Sequence, residues 1–182
     1  MLEDFFPSQV FRYCPYCGSD SFAWDGVKSH RCSRCGRKLY TNAAAATIAV
    51  IGNPQGELLM TRRGREPSQG MLDLPGGFVD TGETAEHGVM REVKEELNVE
   101  VSSLQFLGTF TNQYLYGGTV YFTLDLAFAC AVRDLAPLRP ADDVSSFVFL
   151  ALHDIKLEEI AFRSVREVVE GLQRGRIRVA VG

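Results

Sequence analysis

The sequence predicts a layered α/β domain preceded by a small cysteine-rich module. Three observations carry that expectation. The chain has 182 residues, 46% of them hydrophobic, which is enough for one full core with material left for a small appendage. From residue 42 onward, β-branched and apolar runs bounded by Gly and Pro turns alternate with two stretches of helical periodicity. Strands mixed with helices have to be stacked in layers to bury their apolar faces. Ahead of that region, four of the five cysteines fall into two Cys-x-x-Cys pairs.

The formal net charge of −4 argues against a broad basic surface, so nucleic acid is not an expected partner on composition alone. Residues 1–10 carry two acids and no basic run, unlike a secretory leader. The longest apolar stretch, residues 126–132, is too short to span a bilayer. A cytoplasmic protein without a membrane partner is therefore expected, and that compartment disfavours structural disulfides.

Cys14-Pro-Tyr-Cys17-Gly18 and Cys32-Ser-Arg-Cys35-Gly36 are separated by fourteen residues. Each pair can present two thiolates from one tight turn, and the following glycine lets the backbone fold around a tetrahedral ion. Four soft sulfur ligands suit Zn2+. Residues 1–41 are thus read as an N-terminal segment with a zinc ribbon, whose role is structural or in forming a homodimer, with contact to nucleic acid as the alternative. Phe22, Trp24 and Tyr40 are available to pack against it, and Cys130, in an apolar run, reads as a buried small hydrophobe.

The second domain is expected over residues 42–182. Residues 43–52 read as a buried strand, Asn53-Pro54-Gln55-Gly56 as a turn, and residues 57–63 as the hairpin partner. A helix is expected from Thr84, its N-cap, to Leu97. Strands are expected over 99–110 and 119–132, with Gly117-Gly118 turning between them, and over 146–152. Ser164-Val165-Arg166-Glu167 has the pattern of a capping box. Behind it Val165, Val168, Val169 and Leu172 repeat at helical spacing up to Gly175.

Glu92, Glu95 and Glu96 fall at i, i+3 and i+4, so their side chains share one face of the first helix. With Glu83 they bring four carboxylates close to a glycine turn. Like charges at this spacing destabilise an isolated helix by roughly a few tenths of a kcal/mol, and a cation bound between them reverses the repulsion. Mg2+ and Mn2+ favour such oxygen ligands, with further ligands coming from water and substrate phosphates. Arg91 is spaced to pair with Glu83. Taken alone, the run is also ordinary for a solvated acidic face, and the segment before it decides between the two.

That segment makes the pattern Gly77-x5-Glu83-x7-Arg91-Glu92-Val93-x-Glu95-Glu96-x-x-Val99, which resembles the signature box of the Nudix hydrolases. The Leu74-to-Phe78 entry is similar to the family as well. Two positions depart from it: Asn98 stands where the family has glycine, and Leu72 where a tryptophan often precedes the entry. Asn is the next-best residue for a helix-ending position with φ > 0.

The resemblance implies an α/β/α sandwich in which water attacks phosphorus and a nucleotide leaves. It implies Glu95 and Glu96 as ligands of Mg2+ or Mn2+, the Gly76 carbonyl as a further ligand, and Glu92 as ligand or general base. A fourth carboxylate comes from a later loop in the family; Asp142 and Asp143 are the candidates, with Ser146 at the usual acidic position.

The ribbon ahead of the box resembles the NADH pyrophosphatase branch and ribbon-bearing relatives that act on FAD or ADP-ribose. The proline-rich motif of the former is not matched by Thr111–Gly118. The implied substrate is a nucleoside diphosphate linked to another moiety. Tyr114, Tyr116 and Phe162 are candidates to stack on a base or flavin, and Arg62, Arg63 and Arg65 to contact phosphate. A nucleotide-sensing or RNA-associated module with little hydrolase activity is the alternative.

Overall fold

The computed structural model describes residues 1–179. The chain forms two compact units, Met1–Ala44 with Gln113–Phe122, and Ala45–Asn112 with the chain from Thr123 onward.

In the first unit a short helix α1 (Pro7–Val10) precedes strands β1 (Phe22–Trp24), β2 (Ser29–Cys32) and β3 (Lys38–Tyr40). They pair antiparallel in the order β1-β2-β3, with Trp24 opposite His30 and Arg31 opposite Lys38. Asp25 caps the β1–β2 turn, its carboxylate accepting from the backbone N–H of Val27, Lys28 and Ser29. Those bonds and the Ser29 hydroxyl hold its pKa well below the usual carboxylate range. The core is small: Cys14, Phe22 and Cys32 with Leu39. Buried His30 stacks on Phe22 at 4.9 Å.

The second unit is the expected sandwich. Strands β4 (Ala44–Val50), β8 (Thr119–Val132) and β7 (Val101–Tyr116) form one sheet in the order β4-β8-β7. Strands β6 (Leu72–Asp73), β5 (Leu58–Arg63) and β9 (Val144–Leu150) form another in the order β6-β5-β9. Alternate residues along a strand face opposite sides, and here both sides are buried. Ile48, Val50, Leu58, Met60 and Ala127 meet Val165, Val168 and Val169 of α3 (Arg163–Gln173). Ala49, Ile51, Leu59 and Phe128 meet Val89, Val93 and Leu97 of α2 (Ala85–Leu97). Each Val, Leu, Ile, Met or Phe side chain among them contributes about 1.5–3 kcal/mol on leaving water. Double-sided burial explains why β4 and β5 read as continuous apolar runs.

Three expectations need correction. β5 is not the hairpin partner of β4: β4 pairs with β8, and β5 with β6 and β9. The turn itself forms, with Asn53 Oδ1 accepting from the N–H of Gln55 and Glu57, but the chain passes through it from one sheet to the other, joined by a single Gly52–Leu58 bridge. The capping box at Ser164 does not form. α3 begins two residues earlier, with Phe162 rather than Ser164 as N-cap and no side-chain cap bond, and Glu167 instead pairs with Arg163 at 2.7 Å. β7 also runs on to Tyr116 rather than ending near residue 110.

Candidate active site

Helix α2 forms where expected because both of its ends are capped. Thr84 Oγ1 accepts from His87 N–H at 3.2 Å. At the other end Asn98 adopts φ 58°, the left-handed conformation, and its N–H bonds to the Lys94 carbonyl. Val89, Val93 and Leu97 seat the helix on the core, which turns Glu92 and Glu96 toward the glycine turn.

That turn is laid against β4. Ala49 N–H bonds to the Pro75 carbonyl at 2.7 Å and Thr47 N–H to the Gly77 carbonyl at 2.8 Å. Gly76, at φ 141°, lies so close to β4 that no side chain fits. Its N–H bonds to Glu96 Oε2 at 3.0 Å, while its carbonyl accepts no bond among the described residues. Gly77 packs directly on the Glu92 carboxylate.

Arg91 is the hub of the carboxylates. Its Nε and Nη2 bond to Glu83 at 3.1 and 3.0 Å, and its Nη1 bonds to Glu92 at 2.8 Å and to Glu95 at 3.0 Å. Nη2 also bonds to the Phe78 carbonyl at 3.0 Å. The sequence pointed to the Glu83 pairing; the bonds to Glu92 and Glu95 depend on side-chain rotamers that spacing does not reveal.

The electrostatics divide the group. Arg91 holds Glu83 below its ordinary pKa. Burial raises Glu92. Glu96 is 6% exposed, and burial raises it well above the usual range, opposed by the Gly76 N–H and reinforced by Glu92 and Asp143. Two groups deprived of water in their charged form therefore sit against the glycine turn, Glu96 on the Gly76 N–H and Glu92 beside Gly77.

The loop at residues 137–143 is fastened to the end of α2, with Ala141 N–H bonding to the Glu96 carbonyl at 2.8 Å and Arg139 N–H to that of Leu97 at 3.1 Å. Asp142 has φ 51° and reaches Arg65 at 3.6 Å. The charge of Asp143 acts instead on Glu92, Glu96 and Asp73.

Asp73 was not singled out from the sequence. The pairing of Thr61 with Asp73 aligns β5 with β6 and sets Arg63 3.0 Å from the Asp73 carboxylate. Burial pushes Asp73 up to about 6 despite that cation. Arg63 also bonds to the Pro67 carbonyl at 2.7 Å and lies over the Phe162 ring at 4.7 Å. Two residues considered for substrate thus hold each other inside the fold. Arg62 bonds to the Gly70 carbonyl. Tyr114 and Tyr116 stack on each other, centroids 6.2 Å apart.

The four cysteines of the ribbon converge. Gly18 and Gly36 adopt φ 71° and 75°, and their N–H groups bond back to the Cys14 and Cys32 carbonyls at 2.8 and 2.9 Å. The four Sγ atoms lie within 4.8 Å of one another, with Cys14–Cys35 and Cys17–Cys32 both at 3.7 Å. A tetrahedral site with Zn–S of about 2.3 Å requires S···S of about 3.8 Å, which the two 3.7 Å pairs match, so the cluster could hold zinc. Among the described residues it is the one group of metal-ligating side chains drawn this closely together.

The NUDIX domain model matches residues 42–170, and the chain belongs to that family. Among its relatives is an NAD-capped RNA hydrolase NudC from Vibrio vulnificus, 34% identical over 56% of this chain and 38% of its own length. A second, from Edwardsiella ictaluri, is 28% identical over 78% of this chain and 53% of its own. The chain therefore spans about half or less of the length of these curated relatives. A crystal structure of a NUDIX hydrolase from Nitrosomonas europaea superposes with a TM-score of 0.63 at 20% identity, covering 91% of this chain and 94% of that one. The MutT protein from Methanosarcina mazei Go1 gives 0.60 at 22%, covering 76% and 98%. At such identities the likeness concerns fold. No helix among the described residues is long and apolar enough to cross a membrane.

Proposed function

We propose that the protein is a metal-dependent pyrophosphohydrolase acting on a nucleoside diphosphate linked to a second moiety, of the NAD(H), FAD or ADP-ribose class. The observation that carries this reading is the carboxylate set of α2, with Glu92 and Glu95 gathered on Arg91 and Glu96 bonded to the Gly76 N–H. The names of the relatives add NAD-capped RNA to the substrates worth testing.

Glu92, Glu95, Glu96 and the Gly76 carbonyl would hold Mg2+ or Mn2+, a donor set of oxygens suited to those ions. When bound, the ions supply charge neutralisation of the pyrophosphate and acidify a water. Glu95 is half exposed, so it can exchange its Arg91 bond for a cation by changing rotamer. Arg91 then remains tied to Glu83 and the Phe78 carbonyl, and keeps the turn and helix in register. Glu92, raised by burial, is suited to accept a proton from the attacking water if it is not itself a ligand. Asp143, whose charge acts on this group, is preferred over Asp142 as the fourth carboxylate. Arg65, exposed and held only by Asp142 at 3.6 Å, is assigned to phosphate. Arg63 is assigned to supporting the fold, and Tyr114 and Tyr116 stay assigned to stacking on a base or flavin.

The reading includes a ribbon over residues 1–41 with Zn2+ as its structural ion, a hydrolase domain over 42–182, a homodimer, and a cytoplasmic location where the thiols stay reduced. The test is a screen of NADH, NAD, FAD, ADP-ribose, dinucleoside polyphosphates and NAD-capped RNA with Mg2+ or Mn2+, scored by released phosphomonoesters. Hydrolysis of at least one is expected. Tight binding without hydrolysis of any would overturn the reading in favour of a sensor.

A further inference from the structure

The ribbon segment carries a charge pattern opposite to that of the rest of the chain. Residues 11–41 hold six Lys and Arg against two Asp, whereas the remainder holds thirteen against twenty-one Asp and Glu. All six, Arg12, Lys28, Arg31, Arg34, Arg37 and Lys38, are exposed. None of them forms an ion pair among the described residues. Of the two acids, Asp25 is engaged by the backbone of its own turn.

The sheet orders these cations. His30 and Leu39 are Cα partners on the inner face, packed with Phe22. Arg31 and Lys38, the next partners, therefore share the outer face. Like charges directly opposite in a sheet repel, so the pair is a standing cost that a bound anion would relieve. Tyr40, two residues from Lys38, lies on the same face. Tyr13, Tyr16 and Tyr40 are 69%, 49% and 52% exposed. Lys28 lies 5.9 Å from the Tyr40 ring, and Arg37 5.0 Å from that of Tyr16. Cations interleaved with exposed rings, on a scaffold where four cysteines converge, suit a ligand that has both phosphates and accessible base faces.

We propose that the ribbon binds single-stranded nucleic acid, with Lys28, Arg31 and Lys38 on phosphates and Tyr40 stacking on a base along this face, and Arg37 with Tyr16 as a second phosphate and base contact. A duplex hides its base faces, and strands of three or four residues offer no long element to lay in a groove. An acidic peptide would engage the cations and leave the rings unused. The inference goes beyond hydrolysis, since it needs neither a cap nor a cleavable bond. It also refines the expectation from net charge: the basic surface is local rather than broad.

The test is fluorescence anisotropy of the zinc-loaded full chain with an uncapped, unstructured 20-nucleotide RNA, the DNA of the same sequence and the matching duplex, without Mg2+ or Mn2+. Four phosphate contacts predict a loss of roughly 20-fold in affinity between 50 and 150 mM salt, from a log–log slope near −0.7 per contact. Arg31→Glu with Lys38→Glu is expected to weaken single-strand binding at least about 10-fold, as an electrostatic contact surface requires. Tyr16→Ala with Tyr40→Ala should weaken single strands while leaving weak duplex binding unchanged. Both pairs should retain zinc and hydrolysis of the small substrate, which excludes misfolding. Tighter binding of the RNA assigns RNA, and equal binding assigns single strands generally. Unchanged affinity in the charge-reversed protein, equal affinity for the duplex, or equal competition by polyglutamate would overturn the proposal.

Discussion

Gly76 and Gly77 sit side by side in the turn, yet alanine at the two positions should have opposite consequences. At Gly76 a Cβ would lie 2.1 Å from the Thr47 carbonyl oxygen, 2.9 Å from its carbon and 3.2 Å from Ile48 Cα. All three are backbone atoms of β4, which is buried and paired with β8, so nothing can rotate away. Holding a residue with a side chain at φ 141° costs of order 1–3 kcal/mol, and overpacking adds typically about 1–3 kcal/mol. Gly76→Ala is therefore expected to lose about 2–6 kcal/mol, a large part of the roughly 5–15 kcal/mol that holds a domain together. At Gly77 the Cβ would meet the Glu92 carboxylate at 2.6–2.9 Å, the far end of a flexible side chain. Gly77→Ala should lose less than about 1.5 kcal/mol but displace Glu92 and lower turnover sharply. Urea unfolding followed by far-UV circular dichroism, with hydrolysis measured in parallel, separates the two. A Gly76→Ala protein within about 0.5 kcal/mol of wild type would refute the steric reasoning. So would a Gly77→Ala protein of unchanged activity.

Asp73 gives a pH prediction. Its pKa in the folded chain, about 6, exceeds the unfolded value of about 3.9, so the native state holds the extra proton. Its contribution to stability is therefore full below the unfolded value and falls as pH rises toward 6, by on the order of 1–3 kcal/mol. Asp73→Asn, which can still accept from Arg63, should remove that part of the slope from unfolding curves taken between pH 4 and 7; superimposable curves would contradict it. Thr84→Ala should destabilise by about 1 kcal/mol through loss of the bond to His87 N–H, and an unchanged urea midpoint would show that cap to be unimportant. Elemental analysis should find one zinc per chain, and chelation should shift the emission of Trp24, the single tryptophan, by loosening its packing on His30 at 5.0 Å. Zinc-free protein with unaltered emission would oppose a structural zinc.

The parts of this molecule that were legible in its sequence are those set by local chemistry. Thr84, Asn98 and the four-residue spacing of Val89, Val93 and Leu97 fix α2 without reference to the rest of the chain. The cysteine turns are equally self-contained. The pairing of β4 and β5 was not legible, because Asn53–Gly56 specifies a turn but not whether the two strands stay in one sheet. Nor was the start of α3: Ser164 and Glu167 have the spacing of a capping box, and Arg163 takes the glutamate. At the site, the box pointed to Glu83, Glu92, Glu95 and Glu96, but the role of Arg91 as hub depends on rotamers. The choice between Asp142 and Asp143 depends on the left-handed backbone at Asp142, which sends neighbouring side chains apart. Arg63, Asp73 and Phe162 come together only through strand register and the packing of α3, which spacing does not reveal.

The central claim, that the glutamates of α2 hold the ions for pyrophosphate cleavage, is tested most directly by turnover of the best dinucleotide substrate in 18O-water with Mn2+, comparing wild type with Glu95→Gln and Glu96→Gln. The amide introduced by Glu96→Gln can still accept from the Gly76 N–H, and Glu95 is half exposed, so both variants should keep the wild-type circular dichroism spectrum. The account predicts one 18O in one of the two phosphomonoester products of the wild type, and a fall in kcat of at least about 100-fold in each variant as a metal ligand's charge is lost. Near-wild-type rates in folded variants, or 18O absent from both phosphomonoesters, would contradict it.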